Sequence, residues 1–177
     1  MKLKGNYIMS EILVSRSKKV MFYGVPDSTG ENVVFKRMKG FTDQSTSKNP
    51  KEYARQYVDE LFEQTDVVGY SPSTSYGFDQ YAGNTVHDDI VKITNEELVG
   101  NEAIRTLVLV DLSKAEQGAK TATAVKRNFS VVPDTEGGSL DAYTYTGNFK
   151  SKGAKIIGTA TTADDWQTIT FAEPSAE

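Results

Sequence analysis

The sequence contains no cysteine and only one histidine in 177 residues. The first absence excludes a disulfide framework and any thiolate chemistry. The second leaves an imidazole without the His or Cys partners that standard ligand spacings require. Long apolar runs are also missing. None is longer than the run Leu107 to Val110, far short of the ~20 residues a membrane helix needs. Lys2 and Lys4 are not followed by an apolar stretch, so the N-terminus does not read as a secretory signal. Neither G-x-G-x-x-G nor G-x-x-x-x-G-K-[ST] occurs, so nucleotide phosphates have no cradle. A formal charge of −4 and a pI near 5.2 argue against gripping a nucleic acid backbone, which takes a basic surface. Apolar residues are 38% of the chain and the mean hydropathy is −0.45, which suggests a modest core with extended arms or loops. The length fits one domain with a core that needs no staples.

What is present is β patterning. From Ala103 onward come AIRTLVLVDL, AVKRNFSVVP, LDAYTYTGNF, AKIIGTATT and WQTITF, each alternating apolar and polar and set apart by Pro, Gly, Asp or Ser. Upstream, 18–25 reads as a strand with Val20 and Phe22 on one face and Met21 and Tyr23 on the other. The turn Pro26-Asp27-Ser28-Thr29-Gly30 and a second strand over 32–38 complete a hairpin. Residues 39–51 are polar and turn-rich and read as a long exposed loop. Over 53–64 the spacing of Tyr53, Tyr57 and Leu61, with Val58 and Phe62 alongside, fits a helix; the same residues also fit a strand face. The segment 65–81 is strand-like with a break at Pro72. The best helix is 86–99, with Val86, Ile90, Ile93 and Leu98 at helical spacing, Asn84 or Thr85 as cap, and Gly100 as the stop. The domain reading is an arm over 1–17, a single β domain over 18–171 and a polar tail over 172–177. Met9 reads as a second start, leaving 1–8 as an extension or arm.

Each chemical motif has a plainer reading that fits better. His87, Asp88, Asp89 and Asp79 could suggest a metal or acid–base cluster, but acids at the start of a helix stabilise its dipole. Asp59, Glu60, Glu63 and Asp66 lack the Asp/Asn ladder and central Gly of a calcium loop; they read as a solvated face or the wall of an acidic channel. Gly69-Tyr70-Ser71-Pro72-Ser73 is not a nucleophile elbow, because the last position is not Gly and Pro follows the Ser. The basic groups Lys36, Arg37, Lys39 and Lys150, Lys152, Lys155 read as edge protection or as partners for a neighbour's acids. Tyr70, Tyr76, Phe78 and Tyr81 are candidate interface anchors. No catalytic residue, metal or cofactor is expected, and the chain does not read as an enzyme.

Three stretches carry a resemblance: SRSKKVMFYGVP (15–26), YARQYVDELFEQTDVVGYSPSTSYGFDQYAGNTVHDDIVKI (53–93) and KRNFSVVPDTEGGSLDAYTYTGNFKSKGAKIIGTATTADDWQTITF (126–171). Their wording resembles major tail (tail tube) proteins of long-tailed bacteriophages and prophages of Gram-positive bacteria. The resemblance implies a mainly β fold, a β-sandwich or half-barrel with one flanking α-helix, and favours a strand over 54–60. It implies a structural virion protein assembled in the host cytoplasm. Six copies would form a ring, and rings would stack into a tube that conducts DNA without binding it specifically. Further partners would be terminator and tape measure proteins. Residues Phe41, Thr42, Asp43, Gln44, Ser45 and Thr46 become candidates for contacts between rings, and Asp59, Glu60, Glu63 and Asp66 candidates for the lumen wall. Two other readings stand beside it: the inner tube of a contractile tail or tail-like particle, and a β-sandwich binding module.

Overall fold

Strands account for most of the chain, and one of them decides the architecture by pairing on both sides. The computed structural model describes residues 11–174 apart from Ser28, Glu31 and Ser139; the extension 1–8, the Met9 start and the last three residues of the tail lie outside the described residues. The strands are β1 (Lys19–Pro26), β2 (Val33–Arg37), β3 (Phe41–Asp43), β4 (Thr46–Ser47), β5 (Pro50–Arg55), β6 (Gln64–Tyr70), β7 (Ser73–Asp79), β8 (Ile104–Asp111), β9 (Thr121–Glu136), β10 (Thr144–Thr161) and β11 (Thr168–Ala172), with a single α-helix, α1 (Thr85–Asn95). Nine strands form one antiparallel sheet in the order β11-β2-β1-β8-β9-β10-β7-β3, with β4 also on β7. Because β11 pairs with both β2 and the far end of β10, six strands close on themselves. The sheet is therefore a barrel at one end and an open sheet at the other.

The long strands β9 and β10 run through both ends. Tyr145 to Lys152 pairs with Glu136 to Asn128, and Ile156 to Thr161 pairs with Lys126 to Thr121. Between them lies a bulge, where Gly153 adopts φ 86°, a conformation that suits a residue without Cβ. The sequence reading took this glycine as the boundary between two segments. It is a bend within one strand.

Two cores follow from the curl. Phe22, Val20, Val108, Val110, Ala160 and Ile169 fill the barrel, closed off by Trp166. On the outer face of the sheet, Tyr23, Tyr76, Phe78, Phe149 and Leu107 pack beneath Val86, Ile90 and Ile93 of α1. β1 serves both, since Val20 and Phe22 point into the barrel while Met21 and Tyr23 point to the helix. That explains why its alternation reads as apolar on either side.

α1 begins where the sequence places it. The Asn84 side chain accepts from the N–H groups of Val86 and His87 at 3.1 and 3.4 Å, satisfying two otherwise unpaired donors. It ends earlier than Gly100. Glu97 takes φ 49°, with Glu97 N–H on Thr94 O and Leu98 N–H on Ile93 O. This is the bond pair of a Schellman cap, with a glutamate where glycine is usual.

Candidate assembly surfaces

The ladder between β4 and β7 does not stop at the edge of the sheet. After Ser47↔Ser73, Ser71 N–H donates to Asn49 O, and Pro50↔Tyr70 opens a second ladder that runs to Arg55↔Gln64. β5 and β6 thus form an arm that continues the sheet outward by six register pairs, ~20 Å at ~3.3 Å per residue. Every residue of β5 is exposed, and so is all of β6 but Gly69. At its tip Val58 is 109%, Leu61 89% and Phe62 81% exposed. The acids Asp59, Glu60 and Glu63 lie among them. Gln56 braces the turn by donating to Glu60 O, and Arg55 lies over the rings of Tyr53 and Tyr57 at 5.8 and 6.0 Å. Three large apolar side chains left in water at the end of a paired hairpin mark a contact surface rather than a core.

The second surface is the sheet face that α1 leaves uncovered. Register places Ser73, Ser75 and Gly77 of β7 beside Lys150, Asn148 and Thr146 of β10, and these beside Ser130, Val132 and Thr135 of β9. Apart from Lys150 these residues are short, and hydroxyls dominate. Hydroxyls along this side of the sheet bond to nearby acceptors: Ser75 Oγ donates to the Asp43 carboxylate at 2.5 Å, and on β8 Thr106 Oγ1 donates to Asn128 Oδ1 at 2.7 Å. The face carries Asp43 and Asp79 at one side, with Lys150 and Lys152 toward the root of the arm.

No family model and no curated protein matches the sequence. Among solved structures the chain is similar to a chain from the tail of an empty GTA particle, refined as a helix with C6 symmetry. The match has a TM-score of 0.58 at 15% identity and covers 85% of this chain and 100% of that one. The two share a fold. The expected mainly β half-barrel with one flanking helix is the architecture found.

Against that tail fold, the residues singled out in the sequence fall in different places. Phe41 to Thr46 do not form a free loop. β3 and β4 lie along β7, Phe41 packs 5.1 Å from Phe78, and Thr46 Oγ1 bonds Thr74 Oγ1 at 2.8 Å. Thr42 and Gln44 stay at this edge, where Gln44 Oε1 accepts from Arg16, and Asp43 accepts from both Ser45 and Ser75. The excursion away from the body is 50–70, beyond the loop the sequence suggested. Tyr76 and Phe78 are core residues at 2% and 1% exposure, whereas Tyr70 and Tyr81 are exposed. Alternation within β7 sends Tyr76 and Phe78 inward together with Thr74. Asp59, Glu60 and Glu63 sit at the arm's tip and Asp66 on β6, so none of the four lies on the sheet face. The strand favoured over 54–60 is displaced to Pro50–Arg55, and the helical alternative does not form.

The His87 cluster resolves into structural roles. The buried imidazole accepts the Tyr81 N–H at Nδ1 (3.2 Å) and donates from Nε2 to Lys39 O (2.9 Å), stacked 4.2 Å from the Phe78 ring. Burial pushes its pKa down, opposed by Lys39 O and by the charges of Asp88 and Asp79. Asp89, read in the sequence as a dipole partner only, receives Arg105 Nε at 2.7 Å and Arg105 Nη2 at 3.0 Å, with Tyr23 Oη donating at 2.6 Å. This pair pins α1 to β8 and β1 and commits the carboxylate fully. Among the described residues no three His, Cys, Asp or Glu side chains converge as metal ligands. The apolar tip residues Val58, Leu61 and Phe62 were visible in the sequence only as one face of an ambiguous helix.

Proposed function

We propose that this chain is the repeating subunit of a phage-like tail tube. Copies form six-membered rings, and the rings stack into a hollow cylinder that conducts DNA out of the particle. The observation that carries the reading is the arm. It is an antiparallel hairpin with a bare apolar tip, on a body that encloses its own core, in a chain that shares its fold with one from a C6 tail. An isolated two-stranded hairpin is marginal in water, and a tip of this kind is stabilised by burial against another copy. The ring-to-ring role expected of 41–46 passes to this arm, and the exposed Tyr70 at its root joins the interface.

The polar face of β7, β10 and β9 is the wall of the channel. Short hydroxyl and amide side chains present few fixed cations to a passing phosphate backbone, so they retain little of it by counterion release. Lys150 and Lys152, at the arm end of that face, are neutralised at subunit contacts. The test is negative-stain microscopy of purified, concentrated protein, and the expected result is tubes. A species that stays monomeric by sedimentation at all concentrations counts against the tube and for a monomeric binding module.

A further inference from the structure

The body of the chain carries a groove that matches the tip of the arm in apolar character and complements it in charge. On the helix side of the sheet, beyond the end of α1, a cavity of about 150 Å³ opens between β8, β9 and β4. Leu109, Val125 and Phe129 form its floor and Lys48, Arg127 and Lys155 are among its rim. Leu109 remains 37% exposed, and Ile157, next to Val125 across the ladder, 53%. Among the described residues Lys48, Arg127 and Lys155 take part in no ion pair, and the buried Arg127 Nε has no hydrogen-bond partner. An uncommitted guanidinium beside an apolar floor fits an apolar segment that also carries carboxylates. The arm's tip is such a segment, with Val58, Leu61 and Phe62 set among Asp59, Glu60 and Glu63.

A chain cannot fill its own groove. Thr46, Pro72 and Thr74, which line it, belong to the root of the same arm, and the tip stands six register pairs further out. We infer that the groove receives the arm tip of a second copy, with Leu61 and Phe62 on the Leu109–Val125 floor and the tip acids against Lys48, Arg127 and Lys155. Tip and groove are different patches, so the contact can repeat head-to-tail into closed rings or open stacks, whereas reciprocal exchange of two tips across a two-fold axis would stop at a dimer. The inference rests on the tube reading and assigns it a specific contact.

The absence of cysteine makes the test clean. Tubes are assembled from an equal mixture of Leu61→Cys chains and Lys155→Cys chains and oxidised. The expected result is a mixed disulfide dimer as the main product, while a mixture of Leu61→Cys with Ser75→Cys, on the polar face, gives almost none. Independently, Lys48→Glu with Lys155→Glu reduces tube formation by at least about tenfold through like-charge juxtaposition, and adding Asp59→Lys and Glu63→Lys to the same chain restores it. Normal tubes with no Leu61–Lys155 dimer, or no rescue by the reversed acids, overturn the tip–groove contact and leave the tube reading intact. Wild-type protein that never assembles overturns both.

Discussion

The barrel end and the β5–β6 arm are both antiparallel β structure, yet they stand at opposite limits of burial. In the barrel, Phe22, Val108, Val110 and Ala160 are completely enclosed by strands of the same chain. In the arm the large apolar residues are bare. The difference lies in what each ladder has behind it. The barrel strands curl until β11 joins β2 to β10, so their inner face meets itself. The arm has two strands and no third layer, so its large apolar side chains stay exposed. Apolar content therefore divides into residues enclosed within the fold and residues left facing solvent, and strand pairing alone does not tell them apart.

The largest effect that can break this comparison comes from matched truncations. Phe22→Ala empties part of the barrel and costs about 3–5 kcal/mol of folding stability, read from urea unfolding of unassembled protein. Phe62→Ala at the tip shifts the same transition by less than about 0.5 kcal/mol, while tube formation is lost. Equal destabilisation by both would mean the arm is part of the fold.

A slightly smaller loss is expected at the clamp beneath α1. Arg105→Ala strands Asp89 in a nearly enclosed site with only the Tyr23 hydroxyl, and costs about 3 kcal/mol. Arg105→Lys recovers part of it, since an ammonium cannot reproduce the two-pronged contact.

Next comes Gly147. A Cβ there would meet the Tyr76 hydroxyl and the Val132 carbonyl oxygen, so Gly147→Ala forces the aromatic core apart and costs about 1–3 kcal/mol. A thermal melt unchanged from wild type would show that Tyr76, whose buried hydroxyl has no partner among the described residues, can move aside.

The smallest effect is acid sensitivity. His87 is held neutral with its pKa below the ordinary 6.5. The unfolded chain therefore takes up a proton first as pH falls, and stability declines below about 6.5 until the folded imidazole also protonates. Replacing His87 with Gln flattens stability just below pH 6.5. Asp111, held at about 2 by the Lys19 ammonium and the Ser113 hydroxyl, and Asp164, held at about 2 by Thr168, act in a separate window. Their contribution is full above their ordinary 3.8 and is lost as pH falls toward 2. Urea midpoints across pH 2–7 separate the two windows.

Local signals were enough for much of this fold. Val20, Met21, Phe22 and Tyr23 alternate as strand residues, and Asn84 caps α1 because a side-chain acceptor two residues before Val86 can do so in any context. Long-range features left no such trace. The Asp89–Arg105 pair spans sixteen positions and exists only because β8 passes beneath α1. Tyr53, Tyr57 and Leu61 recur every fourth residue, a spacing that satisfies a helix face and also every second step of a strand, so the arm could not be told from a helix by pattern. Residues 41–46 looked like a loop because β3 and β4 are too short to show alternation, and their pairing with β7 supplies the order. Tyr76 and Phe78 were aromatic enough for an interface, and only the position of α1 makes them core. Trp166 sits at φ 61° with its N–H on Thr162 Oγ1, a conformation unusual for a bulky residue. It is held there by the turn that leads into β11.

That last strand has a consequence for how the protein is made. β11 follows every other strand in chain order, yet it pairs with β2, more than a hundred residues earlier. During synthesis on the ribosome the edges of β2 and β10 remain open until Thr168 to Ala172 has emerged. A nascent chain can therefore display neither a finished barrel nor a fixed body from which its arm projects. Until then the two unpaired edges are open to wrong pairing, and β11 is the element that removes that hazard.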